Sequence, residues 1–267
     1  MKPHIVALDV DGTIVDYDDM MTERVRDTIT RVAEAGHHVV ISTGRAVSGS
    51  HEVANRLGLV EGFVVSSNGS VITRLSQDLE DGWEIFHVES FDPEPALRRM
   101  SEVLPTALYM VEDTELTRWA SGNFPEGELA SITNLRTVPF EELTTKTATR
   151  IVMRELEGTD EEFAAAVERI GLHGVTYAVG WSNWLDIAPD GVSKASGLQI
   201  VARELGIAQE HTVGAGDGSN DMEMLEWVGH AIAMGQAGDK LKGVADVVTG
   251  SVVDDGLATA LEEYFEL

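Results

Sequence analysis

Five short polar segments carry the side chains that can do chemistry. Asp9-Val10-Asp11-Gly12-Thr13 sets two carboxylates two residues apart. Ser42-Thr43-Gly44-Arg45 offers a hydroxyl, a bare backbone and a cation, and Ser66-Ser67-Asn68-Gly69 offers an amide at a strong turn signal. Lys194 follows Ser193, and Gly216-Asp217-Gly218-Ser219-Asn220-Asp221 brings two more acids and a second amide. Carboxylates that converge repel one another unless a cation lies between them. A hard divalent ion with oxygen ligands removes that conflict, and Mg²⁺ held by a few carboxylates and a substrate phosphate is the usual pattern. A glycine next to a hydroxyl lets backbone N–H groups approach an anion at a helix start.

Each segment also has a plainer reading. Asp-x-Asp-Gly-Thr can be a turn in which Asp hydrogen-bonds its own backbone. Ser42-Thr43-Gly44-Arg45 can be only a strand-to-helix connection, with Arg45 a surface cation. Lys194 speaks more clearly: behind the N-cap Ser193 it lies in the first helical turn, where a cation opposes the helix dipole by roughly 0.3–1 kcal/mol. An anion bound at that helix end offsets the penalty. Two other motifs are excluded. A calcium loop of the EF-hand type needs Gly and Glu where this chain has Ile14 and Met20. Gly214-Ala215-Gly216 lacks the third glycine of a dinucleotide fingerprint, since Ser219 stands there and Asp217 would face the pyrophosphate.

The elements that must position these residues alternate. His4–Leu8, His38–Ser42 and Gly62–Ser66 are apolar runs of the kind that form buried parallel strands. Thr22–Ala35 and a segment ending near Leu57 have helical spacing between them. After Asn68-Gly69 come two hairpin-like runs, Ser70–Arg74 and Glu84–Val88, and then a mixed region. There helices are expected over Pro93–Val103 and Thr159–Ile170, where Thr159 and Glu162 form a capping box. Strands are expected near Ala107–Val111, Thr117–Ala120, Thr147–Arg154 and Val175–Val179. Alternation resumes with helix Ser193–Leu205, strand His211–Gly214, helix Ser219–Trp227, strands His230–Met234 and Asp246–Val248, and helix Asp254–Phe265. This predicts an α/β fold, a doubly wound, mainly parallel Rossmann-like sheet built from 1–82 and 186–267, interrupted by an α+β insertion at 83–185. In such sheets ligands gather at the carboxyl ends of the strands, where the polar segments fall.

The ordered set Asp9-Val10-Asp11-Gly12-Thr13, Thr43-Gly44-Arg45, Lys194 and Gly216-Asp217-Gly218-Ser219-Asn220-Asp221 resembles the four motifs of the haloacid dehalogenase superfamily. With Ser67-Asn68-Gly69 just before the insertion, the layout is similar to its Cof-type sugar-phosphatase branch. The resemblance implies a phosphatase that works through an aspartyl-phosphate. Asp9 is then the nucleophile and Asp11 the acid/base. Mg²⁺ is held by Asp9, Asp217 and the backbone carbonyl of Asp11. The phosphate is held by N–H groups near Val10 and Gly44 with Thr43, Lys194 and Asn220. Arg45 and Asn68 are expected to bind phosphate or substrate, and Asp221 to support the site. The insertion is the cap that closes over the site and selects the leaving group. Trp119, Trp181 and Trp184 lie inside it, either stacking on a sugar or forming its own core.

Composition narrows the partners. The 267 residues carry 46 Asp+Glu against 19 Lys+Arg, a formal charge of −27, and contain no Cys. Such a surface repels nucleic-acid backbones and anionic membranes. The missing Cys removes disulfides and thiolate chemistry and fits a reducing cytoplasm. Asp9 and Asp11 interrupt the early apolar run, so no secretion signal is expected there. The expected partner is a small phosphorylated metabolite, a sugar or polyol phosphate, met by a cytoplasmic monomer or small homo-oligomer. A phosphomutase of the same superfamily and a phospho-acceptor signalling module remain as alternatives.

Overall fold

A computed structural model describes residues 2–125, 134–179 and 183–267 of the chain. It contains two compact units, Met1–His87 with Ser193–Leu267, and Val88–Val192. The first starts with β1 (Ile5–Leu8), four apolar residues buried on both faces. α1 (Glu23–Glu34) follows, its N-terminus closed by the Val25 N–H donating to the Thr22 hydroxyl. Next come β2 (His38–Ser42), α2 (Val47–Arg56), β3 (Gly62–Ser66), β4 (Val71–Leu75) and β5 (Trp83–Val88).

The second unit holds α3 (Glu94–Val103), β6 (Leu108–Asp113), β7 (Arg118–Ala120), β8 (Leu135–Thr137) and α4 (Phe140–Leu143). It continues with β9 (Ala148–Arg154), α5 (Asp160–Ile170), β10 (Val175–Val179) and β11 (Trp184–Pro189). The chain then re-enters the first unit through α6 (Lys194–Leu205), β12 (Thr212–Gly216), α7 (Met222–Trp227) and β13 (His230–Ala233). It ends with α8 (Asp239–Lys242), β14 (Val247–Val248) and α9 (Gly256–Phe265).

The first sheet has the order β14-β13-β12-β1-β2-β3-β4-β5. It is parallel from β14 to β3, and β4 returns antiparallel to β3. Alternate residues of β1 serve opposite layers. Val6 and Leu8 pack with Val25, Ile29 and Leu261 of α1 and α9, and Ile5 and Ala7 pack with Leu198, Val201 and Met224 of α6 and α7. A sheet covered on both faces needs strands apolar in every position, and HIVAL supplies one. This is the doubly wound fold expected from the sequence. β1 lies between β2 and β12, at the point where the chain changes direction across the sheet, so its carboxyl end opens onto a crevice.

The second sheet, β10-β11-β9-β6-β7-β8, is antiparallel except for the β7–β8 pair. Tyr109, Val111, Ile151 and Leu185 on one face pack with Leu97, Met100, Phe163 and Val167 of α3 and α5. Among the described residues no helix is long and apolar enough to cross a membrane.

Pairing moves both junctions later than the sequence suggests. β5 stays beside β4 in the first sheet, and β11 pairs with β9 and β10 in the second, so the junctions fall at 87/88 and 192/193 instead of 82/83 and 185/186. Ser219–Trp227 is also not one helix: a 3-10 turn, Ser219–Asp221, precedes α7. Trp119 donates its ring N–H to Asp113 at 2.8 Å beneath the Lys146 ammonium, 3.6 Å from the ring centroid. Trp184 donates to Asp186 at 3.0 Å and meets Phe124 edge-on. Both tryptophans are thus engaged within the second unit itself; Trp181 lies outside the described residues.

Candidate active site

Asp9 follows β1 directly, its N–H held by the Ala215 carbonyl of β12 at 3.0 Å. Its carboxylate is buried: Oδ1 accepts from the Lys194 ammonium at 2.6 Å and Oδ2 from the Thr13 hydroxyl at 3.4 Å. Lys194 is the first residue of α6, whose N-terminus is closed by a box between Ser193 and Ser196. It is fully buried and also donates to Asp221 Oδ1 at 2.6 Å. Asp221 turns its other oxygen to the N–H groups of Asp217 and Gly218, at 3.1 and 2.9 Å, which closes the loop after β12.

Two glycines bring the loops this close. Gly12 has φ +79°, and a Cβ there would lie 2.1 Å from Asp217 Oδ2. Gly69, at φ +103°, would place a Cβ 2.1 Å from the Ser193 carbonyl at the start of α6. Neither position accepts a side chain.

Asp9, Asp217 and Asp221 each offer an oxygen within 4.8 Å of the others. Burial raises the Asp9 pKa to about 8, with the Asp221 charge adding to it and Lys194 opposing. Burial also works against the Lys194 ammonium, but the pull of Asp221 and Asp9 outweighs it and holds the lysine charged above its ordinary range. Asp217 is raised by burial against the hydrogen bonds from Tyr17 and Gln236. Three acids around one ammonium leave a surplus of negative charge in a dry place. An all-oxygen donor set with that surplus fits Mg²⁺.

The other expected residues sit around this centre. Asn220 donates to Asn68 Oδ1 at 3.0 Å, and both amides lie against Gly44. Asn68 reaches that place through a loop in which Ser67 and Asn68 both take positive φ, 50° and 53°. The loop is tied to the β2 end by Asn68 N–H to Thr43 O and Ser67 N–H to Arg45 O. Strain of this kind in non-glycine residues collects at functional sites. Thr43 accepts from the Arg45 N–H, and the Val10 carbonyl accepts the turn N–H groups of Thr13, Ile14 and Val15. The Val10 side chain itself is core.

Two residues sit differently from the sequence expectation. The Asp11 carboxylate is not part of the three-acid group, and is held by Arg45 through Nη2 at 2.6 Å and Nε at 3.1 Å. Arg45 is correspondingly turned to carboxylates, Asp11 and Asp19, the latter at 2.7 Å, instead of to an incoming anion. Its pKa rises, because burial works against the cation and those two acids overcome it. Asp19, at φ 61°, also receives Arg56.

Sequence reasoning missed Tyr17, Asp19, Arg56 and Gln236. Gln236 had a signal, since it lies just beyond the carboxyl end of β13, where the strand-end rule applies. Tyr17 and Asp19 lie in an irregular loop with no periodicity to read.

The model of the haloacid dehalogenase-like hydrolase family matches residues 6–261. The 5-amino-6-(5-phospho-D-ribitylamino)uracil phosphatase YitU of Bacillus subtilis is 28% identical over 271 residues, covering 100% of this chain and 99% of that protein. YkrA of Bacillus subtilis is 32% identical over 271 residues, covering 98% of each. Among solved structures, a phosphatase of the haloalkanoate enzyme superfamily from Bacteroides thetaiotaomicron superposes with a TM-score of 0.78 at 26% identity, covering 99% of this chain and 96% of that one. The buried acids at the carboxyl end of a doubly wound sheet therefore belong to an enzyme of the haloacid dehalogenase-like hydrolase family, in its Cof-type branch.

Proposed function

We propose that the chain is a Mg²⁺-dependent, cytoplasmic phosphatase acting on a small phosphate monoester of the sugar or polyol class. The observation that carries the reading is the buried Asp9–Lys194–Asp221 arrangement beside Asp217, whose surplus negative charge suits one divalent cation, and with that cation an anionic ester. The polyol class is supported by the relative YitU, a 5-amino-6-(5-phospho-D-ribitylamino)uracil phosphatase. Asp9 is assigned as nucleophile: its carboxylate oxygen bonds to phosphorus as the P–O bond to the leaving group breaks, giving an aspartyl-phosphate. Asp11 delivers a proton to the departing alkoxide and then takes one from the water that cleaves the acyl phosphate, restoring Asp9.

Lys194, Thr43, Asn220, Asn68 and the N–H groups near Val10 and Gly44 are assigned to the phosphate oxygens, which carry most of the charge that changes in phosphoryl transfer. Asp9, Asp217 and the Asp11 carbonyl are assigned as the residues that hold Mg²⁺, with Asp221 supporting them through Lys194. When bound, Mg²⁺ neutralises charge on the phosphoryl oxygens. Arg45 is assigned to anchor Asp11 at the mouth of the site, where half of its side chain is exposed. The inserted unit is assigned to the choice of leaving group.

Purified protein with Mg²⁺ is expected to release phosphate from p-nitrophenyl phosphate, and Asp9→Asn to lose at least about a thousandfold in rate with its circular dichroism spectrum unchanged. Turnover that survives Asp9→Asn overturns the mechanism.

A further inference from the structure

One oxygen of Asp217 is enclosed by groups from two other loops. Its Oδ2 accepts the Tyr17 hydroxyl at 2.5 Å and the Gln236 amide N–H at 3.2 Å. Gly12, which has no side chain, lies against the same oxygen. Gln236 does more than touch the acid. Its Nε2 also donates to the Gly12 carbonyl at 2.6 Å, and its Oε1 accepts from the Val252 N–H at 3.0 Å. A single amide thus joins the loop after β1, the loop after β12 and the turn before α9.

We propose that Tyr17 and Gln236 are positioning residues that fix the rotamer of Asp217, engaging Oδ2 so that Oδ1 is the oxygen presented to the divalent cation. The inference rests on the Mg²⁺-dependent reading above and adds two residues to it. An Asp carboxylate has two nearly equivalent oxygens and a broad terminal torsion. Two donors and a glycine wall on one oxygen remove that freedom before the ion arrives. The ordering is then a property of the folded protein and not of ion binding. Outer-shell partners of this kind are worth roughly 10–100-fold in metal affinity.

A merely structural clasp predicts something else: loss of Gln236 would lower the thermal midpoint and leave ion affinity intact. Calorimetric titration of Mg²⁺ into the metal-free, substrate-free protein separates the two. Tyr17→Phe removes one hydroxyl from an exposed side chain, so its thermal midpoint in chelator should match wild type while its Mg²⁺ affinity falls roughly threefold to tenfold. Gln236→Met keeps the length, removes the donor and should weaken binding by about tenfold or more. The Mg²⁺ concentration giving half-maximal turnover should rise by the same factors. Wild-type Mg²⁺ affinity in Tyr17→Phe overturns the proposal, even if Gln236→Met fails to fold. Absence of Mg²⁺ binding by the wild-type protein instead overturns the metal-dependent reading on which the proposal stands.

Discussion

Each unit buries charge, and the two do so with opposite bookkeeping. In the first, the Lys194 ammonium lies 2.6 Å from both Asp9 and Asp221, with Asp217 joining the group. In the second, Arg118 meets Glu112 at 2.7 Å with both side chains nearly closed to solvent, and Arg150 pairs with Asp186. The second unit sets Glu112 and Asp186 each against a guanidinium, as expected of charge retained for register along a sheet: Glu112 of β6 is directly opposite Arg118 of β7 and Arg150 of β9. Its buried Glu155 accepts instead from the Thr106 hydroxyl and two backbone N–H groups. The first leaves acids in excess around one cation. A matched pair is complete when folded. An unmatched group is held only because its burial is enforced by the strands that end there, and on the proposed reading a divalent ion completes it. Local imbalance, not burial of charge as such, marks the functional site.

The sharpest break is at the two cations. Lys194→Met leaves Asp9 and Asp221 buried with no counter-ion and should cost about 3–5 kcal/mol, together with all turnover. Arg118→Met should destabilise the second unit by less, because Arg150 still stands opposite Glu112 once the 2.7 Å pair is gone. The double variants then separate the regions. Arg118→Met with Glu112→Leu should recover most of the lost stability, because a balanced pair can be exchanged for apolar volume. Lys194→Met with Asp221→Asn, which keeps an acceptor for the Asp217 and Gly218 N–H groups, should recover part of the lost stability but no phosphate release. Urea unfolding and the phosphate assay read both outcomes. Equal failure of the two doubles would show that the matched pair is not merely structural.

Magnesium should act on one region only. At about a hundred times its dissociation constant, the ion should stabilise the wild-type fold by roughly 2.7 kcal/mol, and Asp217→Asn should abolish the gain. Glu112→Gln should leave it unchanged. Because Asp9 is held near 8 without metal, binding at pH 7 should also release up to about one proton. Titration in two buffers of different ionisation enthalpy measures that release.

Much of this was legible in the residues themselves. HIVAL ends in Asp9, Ser193 precedes Lys194, and Gly216-Asp217 closes an apolar run, so strand ends and a helix cap were enough to gather these groups. The capping box of Thr159 and Glu162 is formed as its spacing requires. Illegible features have specific causes. β8 is three exposed residues with no apolar alternation to announce it. β11 does alternate, Leu185 and Ile187 packing with α5, but it straddles residue 185, where the sequence pattern places the end of the insertion. Tyr17 and Asp217 are two hundred residues apart in the chain, as are Gln236 and Gly12 on a similar scale. Contacts between loops depend on the fold already being formed. Arg45 shows the same limit: its type suggested an anion site, while its partners, Asp11 and Asp19, are set by a loop with no regular pattern.

His51 sharpens the comparison from a third place, with a smaller effect. It lies in α2, half-buried, its Nε2 2.7 Å from the Thr73 hydroxyl and its ring edge-on to Trp83. Burial lowers its pKa to about 4, and no counter-ion offsets the cost of charging it. The folded protein therefore takes up this proton less readily than the unfolded chain. Its contribution is present above pH 6.5 and is lost as pH falls from there toward 4. Partial exposure screens the effect, so about 1–2 kcal/mol is expected across that window. Carboxylates elsewhere also titrate in acid, so the quantity to measure is the difference between wild type and His51→Gln in urea at pH 7 and pH 4.5. The variant should lose less stability than wild type over that interval. A neutral neighbourhood thus makes a half-buried histidine a liability only in acid, whereas the surplus of acids around Lys194 is a liability at neutral pH that the proposed divalent ion would remove. Equal acid losses in the two proteins would show that the burial of His51 is relieved by local opening.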